Sequence, residues 1–387
     1  MRLALLHSFY ASDQPSGENE IVAAQARAFI DAGHEVLLLG RHTDRERVQR
    51  TYPLAAAWRT LTNGGADPSD HLRAFSPDVV HIHNTVPNIG TAWLADWPTP
   101  VVHTLHNFRP LCANALLYRE GHSCTLCPDG EPWSAVRYEC YRSSALASLP
   151  IAVRNSRGVG ANPLLRRADR IITLSDYAAH VMATYGVPGQ RLAVVPNGIP
   201  PVHAGAASVP QEPRFAAVGR LRAEKGFAEL LAVWPAGTRL DVFGDGPQLG
   251  RLRELAPAGV VFRGTMPRED LRTLLPRYSG VVFPSLWPEP AVALVVVEAL
   301  EAGVPVILAA EGSQTPDLVA AGVGVAVDRV DSSFSPGALS DALRWTVAGG
   351  AALRSHCRAV YSQRYDVDRW VARLIDVYDE ARRSRAH

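Results

Sequence analysis

Short apolar runs separated by polar, glycine-bearing loops and amphipathic stretches recur along the chain, and this alternation predicts βαβ units. Leu3 to His7 is a first buried strand. A polar loop over 12–19 follows, and then a helix whose stripe of Ile21, Gln25, Ala28 and Phe29 ends at Gly33. Val36 to Leu39 is the second strand, and right-handed crossovers of this kind build a parallel sheet. Asp78 to Asn84 and Val101 to Asn107 are two further strands that end in histidines, and Arg170 to Ser175 is another, followed by a helix from Ser175 to Tyr185. Leu192 to Val195 is a strand that runs into a turn at Asn197.

Residues 199–213 are rich in Pro, Ala and Gly without periodicity, which predicts a linker. Beyond it the pattern restarts. Strands are expected at Phe215 to Gly219, from Asp241, and at Val260 to Gly264, with a helix starting near Lys225. A buried strand ending at Phe283 leads through a Pro-rich turn into a helix stopped near Gly303, and another strand is expected from Val304. From Ser335 the pattern is helical, with a break at Tyr365-Asp366. Val367 to Arg382 then carries Trp370, Leu374, Ile375 and Tyr378 at helical spacing.

A chain of 387 residues exceeds one core and predicts two domains. We place them at 1–198 and 214–365, with the last helix, 366–387, returning to the first. Nearly half of the residues are hydrophobic and a fifth are charged, which excludes a disordered chain. A net charge of +1 gives no argument for nucleic acid as a partner. No apolar run is long enough for a signal peptide or a membrane span, so a cytoplasmic enzyme with at most peripheral membrane contact is expected.

Four features carry candidate chemistry. Glu289 falls in the turn after Phe283 and Glu298 inside the apolar helix that follows. Carboxylates in such a setting need partners, and helix N-termini at the carboxyl ends of parallel strands are where anionic ligands bind. Arg220 and Lys225 flank the turn after Gly219, where cations and free backbone N–H groups converge. His103 and His106 end a strand that faces the same kind of crevice.

The fourth feature is an insertion over 109–142. Cys112, Cys124, Cys127 and Cys140 are four of the chain's five cysteines, and Cys124-Thr-Leu-Cys127 is a chelating knuckle. Four thiolates suit a closed tetrahedral zinc at about 2.3 Å per bond, which would fold a loop with little core of its own. Reduced or disulfide-bonded cysteines, an iron–sulfur cluster, and His122 in place of one Cys remain open alternatives.

Several of these segments together resemble the retaining glycosyltransferases of family 4, whose GT-B fold is a pair of Rossmann-like doubly wound α/β domains. Gly219-Arg220 through Lys225-Gly226 is similar to the family's basic phosphate segment, Gly244-Asp245-Gly246-Pro247 to a glycine-rich turn, and His103-Thr104-Leu105-His106 to a first-domain histidine segment. Glu289 and Glu298 resemble its paired glutamates, although the family's usual spacing is one residue shorter than the eight intervening residues found here. Either the turn carries a bulge or Glu289 has a changed role.

The resemblance implies that a nucleoside-diphosphate sugar binds the second domain and a hydroxyl acceptor the first. Arg220 and Lys225 would hold the diphosphate, Glu298 the ribose, Glu289 the sugar, and His106 the sugar or the acceptor. Gly17, Gly219, Gly264, Met266, Ala293 and Leu294 would line the donor site. It favours uridine over guanosine and needs no catalytic metal. Cell-envelope saccharides, lipid-linked saccharides and small natural products are all open as acceptors. Other readings are a GT-B epimerase or phosphorylase, and a weakly catalytic binding subunit.

Overall fold

The structure, a computed structural model, describes residues 1–12, 16–203, 209–330 and 333–386. Parts of the loop expected over 12–19 and of the linker expected over 199–213 lie outside these residues. The chain divides into two compact units. One comprises Met1–Leu117, Cys124–Asn197 and Asp368–His387, and the other Tyr118–Ser123 and Gly198–Val367.

The first unit is built on six parallel strands, β1 (Arg2–Phe9), β2 (Glu35–His42), β3 (Val79–Ile82), β4 (Val101–Leu105), β5 (Arg170–Thr173) and β6 (Leu192–Val194). They lie in the order 2-1-3-4-5-6. Residues of β3 and β4 are buried along their whole length, which is why these strands are continuous apolar runs rather than alternating ones. Helix α1 (Gly17–Asp31) is capped by Ser16, whose side chain accepts from the Asn19 N–H, and it buries Ile21, Val22, Gln25, Ala28 and Phe29 among others.

The second unit repeats the plan with β7 (Arg214–Val218), β8 (Arg239–Phe243), β9 (Val260–Gly264), β10 (Gly280–Phe283), β11 (Val306–Ala309) and β12 (Gly324–Val327), again all parallel. Their order is 9-8-7-10-11-12. The order reverses between β7 and β10, and in such sheets ligands bind in the crevice outside the carboxyl ends of the strands at the reversal. In the first unit the equivalent reversal lies between β1 and β3.

Two boundaries differ from expectation. No α-helix starts at Lys225. One 3₁₀ turn spans Ala223–Lys225, Gly226 takes φ +69°, and the α-helix Phe227–Leu231 begins only beyond it. Likewise the strand expected from Val304 starts at Val306, because the Val304 N–H bonds back to the Ala299 carbonyl and closes helix α2 (Leu294–Glu301).

The last helix, α3 (Val367–Ala386), belongs with the first unit from Asp368 onward. Tyr378 is completely buried there, and its hydroxyl meets His81 Nδ1 at 2.7 Å and Gln25 Nε2 at 3.1 Å. Among the described residues no helix is long and apolar enough to cross a membrane.

Candidate functional site

In the second unit three loops meet at the strand-order reversal. The Gly219 N–H bonds to the Phe243 carbonyl at 3.0 Å, Leu221 N–H to Asp245 at 2.9 Å, and Leu286 N–H to Glu224 at 2.9 Å. The approach leaves no space for side chains. A Cβ on Gly226 would stand 2.1 Å from the Pro284 carbonyl oxygen, and one on Gly244 2.0 Å from that of Gly219. Glycine at these two positions, each with positive φ, is therefore a requirement of the close packing of backbone on backbone.

This lacing places Lys225 against the turn after β10. Its Nζ donates to Glu289 Oε1 at 2.5 Å, with both side chains mostly shielded from solvent. Lys225 also lies over the rings of Trp287 and Phe283, at 5.2 and 5.6 Å from their centroids. Ser285 donates to the same Glu289 oxygen at 2.9 Å, and Ser313 donates to the Glu289 carbonyl at 2.6 Å. Arg220, by contrast, is exposed on its loop.

Glu298 is buried in α2 and paired with Arg268. Of the expected donor residues, Ala293 is the N-cap of α2 and its N–H donates to Gln314 Oε1 at 3.0 Å, with Leu294 the first helical residue. Gly219 follows β7 directly, and the Gly264 carbonyl at the end of β9 accepts from the Gly244 N–H at 2.8 Å. Met266 packs, partly buried, on the second unit's core. The structure thus brings Lys225 and Glu289 together. Arg268, Gln314, Ser285 and Trp287 were not singled out from the sequence, because a partner's identity depends on tertiary contact and none carries a local signature.

The first unit gathers five histidines at the ends of β1, β3 and β4. His106 Nε2 meets His83 Nδ1 at 2.9 Å, His81 stacks on His83 with centroids 4.2 Å apart, and His81 Nε2 meets Thr104 Oγ1 at 2.7 Å. His103 Nδ1 donates to the Ile82 carbonyl at 2.8 Å, and His7 Nε2 meets Asn19 Oδ1 at 3.0 Å. Burial holds all of them neutral: His7 and His103 are lowered to about 4, His81 to about 3, and His83 and His106 well below the ordinary value.

Beside them stands Glu18, one residue past Gly17 in the first turn of α1. Burial raises its carboxyl to about 7, against the pull of Arg109. Glu18 Oε2 accepts from Tyr10 at 3.3 Å and Asn107 at 3.5 Å, while Oε1, His7 Nδ1 and His83 Nε2 are buried without a hydrogen-bond partner. Glu18, His83, His106, Asn107 and Arg109 line one cavity of about 60 Å³. Buried polar atoms left unsatisfied at a cavity wall are suited to a polyhydroxylated ligand. Sequence reasoning passed over Glu18 because a lone acid at a helix start has the form of an ordinary cap-region charge.

The cysteine insertion is irregular. Five of the eight non-glycine residues with positive φ among the described residues fall in it, Ala115, Leu117, Glu120, Glu139 and Arg142, and a sixth, Ser143, adjoins it. All four cysteines belong to the first unit and none of them is in a disulfide. Burial pushes the Cys127 thiol up to about 12, reinforced by Cys112, Cys140 and Cys124, so the four share one neighbourhood. Burial also raises Cys112, opposed by backbone N–H groups of Leu117, Asn114 and Leu116. Among the described residues no three His, Cys, Asp or Glu side chains stand where one ion would be held by all of them. His122 is exposed on a two-stranded hairpin, with Nδ1 3.2 Å from the Glu120 carbonyl.

Comparison with known proteins fits this geometry. Residues 15–203 match the family "Glycosyltransferase Family 4" and residues 212–374 match "Glycosyl transferases group 1". The chain is 33% identical over 172 residues to the exopolysaccharide phosphotransferase SCO2592 of Streptomyces coelicolor, a match that takes in 39% of this chain and only 17% of that protein's length. Among solved structures, the sucrose-phosphate synthase of Thermosynechococcus elongatus superposes with a TM-score of 0.65 at 17% identity, covering 98% of each chain. AviGT4, a glycosyltransferase involved in avilamycin A biosynthesis, gives 0.61 at 19% identity over 100% of this chain and 98% of its own. Anabaena Alr3699/HepE in complex with UDP-glucose gives 0.61 at 17% identity over 98% and 99%. At such identities the likeness establishes the GT-B fold, and with the two family matches spanning nearly the whole described chain, this protein belongs to the family 4, group 1 glycosyltransferases.

Proposed function

We propose that the chain moves a sugar from a nucleoside-diphosphate sugar to a hydroxyl acceptor with retention at the anomeric carbon. One observation carries this reading: a shielded lysine, Lys225, paired with Glu289 at the strand-order reversal of the second unit. Lys225 and Arg220 hold the diphosphate, taking the place of a divalent cation. Glu298 orients the ribose, Glu289 the sugar, and Gly17, Gly219, Gly264, Met266, Ala293 and Leu294 line the donor. His106 meets the sugar or the acceptor.

In the transfer step the bond from the anomeric carbon to the phosphate oxygen breaks, and its electron pair leaves with the diphosphate. The acceptor oxygen attacks the same face, and its proton passes to the departing phosphate. Cations on the leaving group stabilise charge that develops as this bond breaks. The base is uridine, a reading supported by the UDP-glucose complex of the Anabaena relative.

Thermal shifts with UDP and GDP test the donor reading. UDP at about a hundred times its Kd should add about 2.7 kcal/mol of stability, with GDP weaker. No shift with either nucleotide would overturn it.

The cysteine insertion belongs to the same proposal as a structural zinc module. For Cys112, Cys124, Cys127 and Cys140 to hold zinc, their side chains would have to turn toward one another from the placement described above, and the bound ion would supply folding free energy that this loop lacks in core. Protein purified without chelator should contain about one zinc per chain by elemental analysis. A stoichiometry near zero, with all thiols titratable, would refute the module.

A further inference from the structure

The first unit holds a second, larger cavity of about 610 Å³, formed chiefly by helices Tyr52–Thr62 and Ala145–Asn155 and the segment before each. It shares Thr60, Val86, Pro87 and Arg109 with the histidine cavity, so the two adjoin. Its lining combines two chemistries. Arg47, Arg50, Arg109 and Arg142 line it, and among the described residues no Asp or Glu does. Arg109 and Arg142 both lie over the ring of Tyr141, at 5.3 and 5.4 Å from its centroid. Two guanidiniums gathered on one aromatic, in a wall without a carboxylate, call for an anion with several acceptor oxygens.

The remaining wall is apolar, including Leu54, Ala57, Leu146, Pro150 and Ile151. Two of these stand at the mouth in water, Leu54 at 75% and Leu146 at 83% exposure, and Trp58, one helical turn from Leu54, is 67% exposed. Large apolar side chains gathered around a cationic groove fit a ligand that has both a phosphate and a long hydrocarbon chain.

We propose that this groove binds the lipid end of a lipid-linked saccharide acceptor. The phosphate or diphosphate would sit on Arg50, Arg109 and Arg142, the hydrocarbon along Leu54, Leu146 and Ile151, and the terminal sugar would reach the Glu18–His106 cavity. This rests on the glycosyltransferase reading and narrows its acceptor to one class.

The test is flotation with phosphatidylcholine vesicles carrying a polyprenyl phosphate, compared with vesicles carrying the same charge as phosphatidylglycerol and with phosphatidylcholine alone. The polyprenyl phosphate vesicles should retain the protein at least tenfold better than either control. The double variant Arg50→Gln/Arg142→Gln and, separately, the exposed-site variant Leu146→Glu should each lose most of that preference while keeping the full UDP thermal shift. Equal binding to phosphatidylglycerol would reduce the groove to general surface charge and overturn the proposal, as would no binding to any vesicle. Both results leave the donor reading standing if the UDP shift persists, and loss of that shift in the unaltered protein would sink the donor reading instead.

Discussion

Replacing Lys225 with Met should lower kcat/KM for sugar transfer by about 10²- to 10³-fold, the loss usual when a single group stabilising transition-state charge is removed. The Nζ of Lys225 is held 2.5 Å from Glu289 and over the rings of Trp287 and Phe283, in a setting that is largely shielded from water. A cation so placed acts on developing phosphate charge far more strongly than one in bulk solvent. The effect should fall mainly on kcat, since the diphosphate bears more charge as it leaves than in the ground state. Lys225→Arg should restore little, because a planar fork does not fit the space of a compact ammonium between two rings. Steady-state kinetics with a uridine-diphosphate sugar decide the matter. A loss smaller than about threefold would remove Lys225 from the leaving-group site and, with it, the observation on which the functional reading rests.

Acid should destabilise the first unit steeply. The sign follows from the histidines: folded, His7 and His103 take up a proton only near pH 4 and His81 near 3, whereas in the unfolded chain each does so near 6.5. His83 and His106 are lowered further still. Below 6.5 the unfolded chain therefore binds more protons, and stability falls as pH drops through that window. Glu18 opposes this, since its carboxyl at about 7 against 4.5 unfolded lets the folded state hold the extra proton between those values.

Five groups outweigh one. Between about pH 7.5 and about 5.5 the net loss should be on the order of 5 kcal/mol, a large share of a domain's stability. Calorimetry over that range should show a transition that moves down by about 10 °C or more. A midpoint flat across the range would mean that the five imidazoles are solvated rather than buried.

Much of the fold was legible because both sheets are wholly parallel. Strands such as Val79–Ile82 and Val306–Ala309 are covered on both faces and announce themselves as unbroken apolar runs, and the glycine-bearing loops between them mark the crossovers. The places where reading failed are set by single tertiary contacts. Nothing local in Val304 distinguishes a strand residue from one whose N–H closes the preceding helix on Ala299. The helix expected near Lys225 begins at Phe227, two residues on, after a left-handed turn at Gly226 that packs against the Pro284 backbone, 58 positions away in sequence.

The candidate site divides in the same way. Lys225 and Glu289 were found from their segments, whereas Glu18 needed the fold, since its burial among histidines of three strands has no trace in its neighbours. Arg268 is a similar case. It shares an ion pair with Glu298 but sits 30 residues earlier, on another helix. For the cysteines, spacing gave the neighbourhood and nothing in spacing gives the final arrangement of the sulfurs.

Tyr378 reaches the imidazole of His81 and the amide of Gln25 from a helix that leaves the ribosome after every residue of the second unit. During synthesis, then, the amino-terminal half waits with a gap beneath its histidines while its neighbour is already complete. A chain cut before Asp368 would keep every residue of the second unit but leave His81 Nδ1 and Gln25 Nε2 without the hydroxyl that meets them.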